Sequence, residues 1–237
     1  MKTCLLTVSV FLSIACAKAQ TADEIISKYL DAIGGKEKLS QITSIYIESG
    51  TEVMGNESAT KTTVLSGKGY KNESDFNGQM LVQVVTDKGG WTINPFAGSS
   101  DPMPLPDDQF KATEDQVYVL SPLFNYAEHG AKVELSGQEK VGEVNAYKIK
   151  YTNKDNMEAT FYIDPSTYYI IQAVRKGYAM GQEVTITINF SNFQKTDFGT
   201  TIPFTTNIDM GQFALKINVK KVEINKTVDP AIFDMPK

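Results

Sequence analysis

The stretch 146–190, AYKIKYTNKDNMEATFYIDPSTYYIIQAVRKGYAMGQEVTITINF, alternates apolar and polar residues so regularly that it leaves little choice besides antiparallel strands. Tyr147, Ile149 and Tyr151 alternate with Ala146, Lys148 and Lys150. Ala159, Phe161 and Ile163 alternate with Thr160 and Tyr162, and Val184, Ile186, Ile188 and Phe190 with Thr185, Thr187 and Asn189. Turn chemistry falls between the runs, at 153–156, at Asp164-Pro165-Ser166 and at 177–181. The spacing predicts a four-stranded meander whose apolar faces share one interior.

The same period extends in both directions. Ile45 and Ile47 open a first strand, and 60–66, 70–76, 80–86 and 91–93 read as successors. Val133 and Leu135 resume the pattern, and Phe204, Ile208 and Met210 precede Phe213, Leu215, Ile217 and Val219. The phase slips at Lys220-Lys221, so Val222 and Ile224 keep the apolar face only if a bulge stands there. The result is eleven or twelve strands without an internal repeat.

Helices are expected in two places. Thr21 to Glu24 form a capping box before Ile25, Ile26, Tyr29, Leu30 and Ile33, and Gly34-Gly35 ends that run, with Leu39 and Ile42 on a short second turn. In the middle, Pro102, Pro104 and Pro106 mark a loop, Asp107-Asp108 can cap a helix to about Leu120, and Pro122 interrupts the apolar surface that continues to Gly130. Leu120, Leu123 and Phe124 make this segment a candidate lid, or a helical plug for one end of a sheet. His129, the single histidine, stands before Gly130 where a helix C-terminus is expected, a position that favours a cap over a catalytic base.

Residues 1–19 read as a secretory signal: Lys2, an apolar run from Cys4 to Ala15, then Ala17-Lys18-Ala19 before Gln20. A lipid anchor on Cys16 is the alternative. Cleavage before Gln20 removes Cys4 and Cys16, both cysteines of the chain, and leaves 20–237 as one domain held by core burial alone. The 23 basic residues less Lys2 and Lys18 stand against 28 acidic ones, a net charge of −7 that disfavours nucleic acid. An exported, cysteine-free chain without a spanning segment points to a periplasm.

Catalytic groups are sparse. There is no cysteine nucleophile in the mature chain, no H-E-x-x-H, no G-x-S-x-G and no phosphate loop, so neither an enzyme, a metal nor a cofactor is expected. Apolar bulk on the strands is plentiful instead. A curved sheet of this size encloses more than one helix can fill, so Trp91, Phe96, Phe161, Ile163, Ile186, Ile188, Phe190 and Phe204 are candidates to line an apolar ligand cavity. The plain alternative is core packing.

These pieces resemble the bacterial outer-membrane lipoprotein-sorting proteins, which share the fold of the LolA carrier and the LolB receptor. The likeness rests on Ala32-Ile33-Gly34-Gly35, Gly90-Trp91-Thr92-Ile93-Asn94-Pro95, the Tyr147 strand, Thr160-Phe161-Tyr162-Ile163-Asp164-Pro165, Phe190-Ser191-Asn192-Phe193 with Gly199 and Pro203, and Phe233 before Pro236. It implies an unclosed antiparallel half-barrel wrapped over helices that act as a lid. Its concave face would shelter acyl chains of a lipoprotein or other lipid between an inner-membrane donor and an outer-membrane acceptor. The carrier latches its lid through an arginine on an early strand. The only arginine here, Arg175, lies on a late one, so that role is not carried over. A periplasmic β-module with a filled interior, binding another envelope protein, is the competing expectation.

Overall fold

A computed structural model describes residues 20–236 except 54, 180, 181 and 212, and leaves the side chains of 97, 99, 178 and 179 undescribed. The expected signal, its cleavage point and the Cys16 alternative lie outside the described residues. Helix α1, Ala22–Ala32, opens with the expected capping box: Glu24 N–H donates to Thr21 Oγ1 at 3.2 Å and Thr21 N–H to Glu24 Oε2 at 3.1 Å. Its stripe of Ile25, Ile26, Tyr29 and Leu30 is buried. A one-turn helix α2, Lys36–Leu39, comes next and buries Leu39.

The next strands are β1 Ser44–Val53, β2 Asn56–Leu65, β3 Gly69–Phe76, β4 Gln79–Thr86 and β5 Gly89–Asn94. Then comes β6, Ser99–Pro104, inside what the sequence presents as a proline loop. Pro102 and Pro104 are tolerated because β6 is an edge, where a missing N–H breaks no ladder on the open side. After the middle segment come β7 Lys132–Val141, β8 Val144–Thr152, β9 Glu158–Ile163, β10 Ile170–Ala179, β11 Gln182–Lys195, β12 Thr201–Asp209 and β13 Ala214–Ile224.

All thirteen belong to one antiparallel sheet in the order β6-β5-β4-β3-β2-β1-β13-β12-β11-β10-β9-β8-β7. The chain therefore lays down β1 to β6 outward to one edge, starts again at the other edge with β7, and returns until β13 pairs with β1. The sheet stays open, a half-barrel with β6 and β7 as its rims. The bulge read from Lys220-Lys221 is present. Glu48 faces Lys221 while Ser49 faces Val219, so Lys220 has no partner and Ile217, Val219, Val222 and Ile224 keep one face. Pro203 sits inside β12 opposite Phe193, in the part that pairs only with β11, since pairing with β13 starts at Thr205.

Residues 105–131 connect the two free rims, so they must cross the open side of the half-barrel. Here the expected helix to Leu120 is shorter. Helix α3, Asp107–Thr113, ends where the Thr113 hydroxyl donates back to the Gln109 carbonyl at 2.8 Å, and a 3₁₀ turn, Glu114–Val117, comes after it. Asp107 and Asp108 lie in the first turn; the cap position is Pro106, without a side-chain bond. Beyond Pro122 the chain runs in turns to Gly130, so His129 caps no helix and packs instead against Tyr118, ring centroids 5.8 Å apart.

Two apolar clusters hold the molecule. The larger joins α1 and α2 to Leu123, Ile149, Phe161, Ile163, Ile170 and Ala173. The smaller puts Val82, Val84 and Trp91 under Phe233, from the C-terminal 3₁₀ turn Pro230–Phe233. Phe233 lies so close over Gly69 that no Cβ fits there.

Candidate functional site

The end of α1 places the site. Gly34, at φ 141°, lets the chain turn against the loop before β12, where a Cβ would come within 3.1 Å of Thr200 Cγ2. Thr201 N–H then donates to the Ile33 carbonyl at 2.9 Å. This fixes the helical floor of Tyr29, Ile33, Leu39 and Ile42 against one end of the concave sheet. Ile45 and Ile224 contribute from the β1–β13 seam, Phe161, Ile170 and Phe190 from the meander, and Ile202 and Pro203 from β12. Val119, Leu120, Ser121 and Pro122 of the crossing segment close the top. The space between these groups is about 270 Å³ and stays partly open to solvent.

Its wall carries no Asp, Glu, Lys, Arg or His. Burial pushes the Tyr29 phenol up to about 12, so that group stays neutral as well. The Thr200 hydroxyl is already engaged with Thr196 Oγ1 at 3.0 Å. Such a wall can hold an apolar chain. The crossing segment is pinned just beyond its lining residues. Leu123 is fully buried in the main core, and the Tyr126 hydroxyl donates to Asp23 Oδ1 in the first turn of α1, a bond that raises Tyr126 to about 12.

Of the residues read from the sequence, Phe161, Phe190 and Leu120 line this space. Ile163 is fully buried beside it, Leu123 and Phe124 pack in the same core, and Phe204 is half-buried outside the lining. Ile188 and Ile186 lie further along the concave face: Phe161 faces Ala173, Ala173 faces Ile188, and Arg175 faces Ile186. Trp91 is on the opposite face. It stands across from Val84, Val84 from Lys71, Lys71 from Thr63 and Thr63 from Tyr46, while the cavity takes Ile45, the neighbour pointing the other way. The indole N–H donates to the Phe233 carbonyl at 2.9 Å. Phe96 is 65% exposed, edge-on to Phe76 with centroids 6.0 Å apart, and takes no part in this lining. The floor residues Tyr29, Ile33, Leu39 and Ile42 were visible only as a helical stripe. Thr200 and Thr201 carry no sequence signal beyond the Gly199 turn.

No model of a known protein family matches the sequence, and no curated protein matches it. Solved structures do match. An outer membrane lipoprotein-sorting protein domain of Vibrio parahaemolyticus superposes with a TM-score of 0.57 at 11% identity, covering 89% of this chain and 95% of that one. A LolA superfamily protein of Nitrosomonas europaea gives 0.57 at 15% identity, over 91% and 98% of the two chains. The fold is LolA-like. A DUF1329 family protein of Desulfovibrio piger gives 0.54 at 12% identity, over 91% and 98%. At these identities the likeness concerns the LolA-like architecture alone. Among the described residues no helix is long and apolar enough to cross a membrane.

Proposed function

We propose that the protein is a non-enzymatic periplasmic carrier that shelters acyl chains of a lipoprotein or other lipid under the 105–131 segment, taking them from an inner-membrane donor toward an outer-membrane acceptor. The observation that carries this reading is the uncharged cavity at the end of α1, closed by Val119 to Pro122. Burying an acyl chain is worth about 0.8 kcal/mol per methylene, so a sixteen-carbon chain gains on the order of 12 kcal/mol before ordering costs. A volume of about 270 Å³ is at the lower edge of what small-ligand sites offer, so a long chain enters only as the segment above it lifts.

The test is equilibrium binding of a fluorescent palmitoyl probe to the wild type, Leu120→Glu and Thr187→Glu, with thermal unfolding alongside. Leu120 is half-buried on an irregular segment, so a carboxylate there should weaken binding at least about tenfold while the protein stays folded. Thr187→Glu should leave binding unchanged. A wild type that takes up no acyl probe would show the interior to be a packed core, as a protein-binding β-module would have.

A further inference from the structure

Successive rows of inward-facing residues run across the meander from the cavity toward the far end of β10. The row Ile149, Phe161, Ala173, Ile188 reaches the cavity through Phe161. One step on, about 7 Å along the strands, the row is Tyr151, Ala159, Arg175, Ile186. The sole arginine of the chain thus points into the concave face beside an apolar cavity. It is half-buried, with Ala159 across the ladder on one side, Ile186 on the other, and Ala173 and Gly177 two residues either way along β10, the Ile186 side chain lying over Gly177.

A guanidinium offers five N–H donors and is costly to bury unpaired. Arg175 makes one long bond, from Nη1 to the Lys176 carbonyl at 3.4 Å, and no carboxylate forms an ion pair with it among the described residues. The nearest candidate is Asp115 of the 3₁₀ turn, whose charge acts on both Arg175 and Tyr151. Asp115 attracts Arg175 without forming an ion pair with it, and most of the guanidinium N–H donors are left for another acceptor.

We infer that Arg175 is the binding group for the anionic end, a carboxylate or phosphate, of an amphiphile whose acyl chain runs past Ala173 into the cavity at Phe161. The guanidinium would hold the headgroup, and the neutral cavity takes the tail. This rests on the acyl-binding reading above and narrows its ligand to an anionic single-chain lipid.

The experiment compares palmitate, hexadecyl phosphate and hexadecanol, equal in chain length, by titration calorimetry against the wild type, Arg175→Leu, Arg175→Gln and Asp115→Asn. The wild type should bind one or both anions at least about tenfold tighter than the alcohol, and the better anion identifies the headgroup. Arg175→Leu should abolish that preference while leaving hexadecanol affinity unchanged, and Arg175→Gln, which keeps a polar stem, serves if the leucine variant unfolds. Asp115→Asn should tighten anion binding by removing a repelling charge. Equal binding of all three probes by the wild type, or a parallel loss of anion and alcohol in both arginine variants, overturns the assignment and leaves the carrier reading standing. A wild type that binds none of the three overturns both.

Discussion

Asp115 shows how one side chain on the crossing segment can report on it. Asp115 is exposed as a residue, yet partial desolvation at its place on the 3₁₀ turn raises its carboxyl pKa above the ordinary 3.8 in the folded state. An acid whose folded pKa is raised binds its proton more tightly folded than unfolded, so it costs no stability while protonated in both states, below about pH 3.8. The cost appears as pH rises from there through the folded pKa and is complete above it. Asp115→Asn removes that cost. Thermal unfolding should show the variant more stable than the wild type at pH 7 and no different at pH 3. A stabilisation of the same size at both pH values would mean that the carboxylate is not desolvated.

At the level of elements, the sheet and the crossing segment differ in how they are held. β9 lies between two neighbours and buries Phe161, Tyr162 and Ile163, whereas α3 buries none of its residues and the turns after it are tied at separate points, through Val117, Leu123 and Tyr126. Hydrogen exchange should therefore be faster over 107–122 than over Glu158–Ile163, and Tyr126→Phe should speed the former alone. Equal protection in the two would rule out a segment that lifts. The same contrast explains what was legible in the sequence. Strand alternation, the Thr21 capping box and the phase slip at Lys220 are local patterns, and each has its counterpart in the structure. The middle segment lacks a period, so the helix expected there is too long and β6 is hidden behind its prolines. Trp91 was misplaced for a different reason. Alternation shows that Trp91 and Ile93 share a face, but only the register through β4, β3, β2 and β1 shows which face that is.

At the scale of the whole molecule, β1 to β6 and β7 to β13 are two sheets in sequence and one in space, joined laterally at the β1–β13 ladder from Ile45–Ile224 to Val53–Leu215. The covalent link between them, residues 105–131, is attached to opposite rims. It can bow outward but cannot swing like a door, because neither end is free. Severing it before Leu123 would leave the β1–β13 seam intact and Leu123 in the α1 core. Limited proteolysis within 114–122 should yield two fragments that migrate together on a sizing column and separate only in denaturant. Their separation without denaturant would show that the seam alone does not hold the halves. The fold is in this sense divisible: the two pieces could be made as separate chains and would find each other edge to edge, giving an open vessel without a cover.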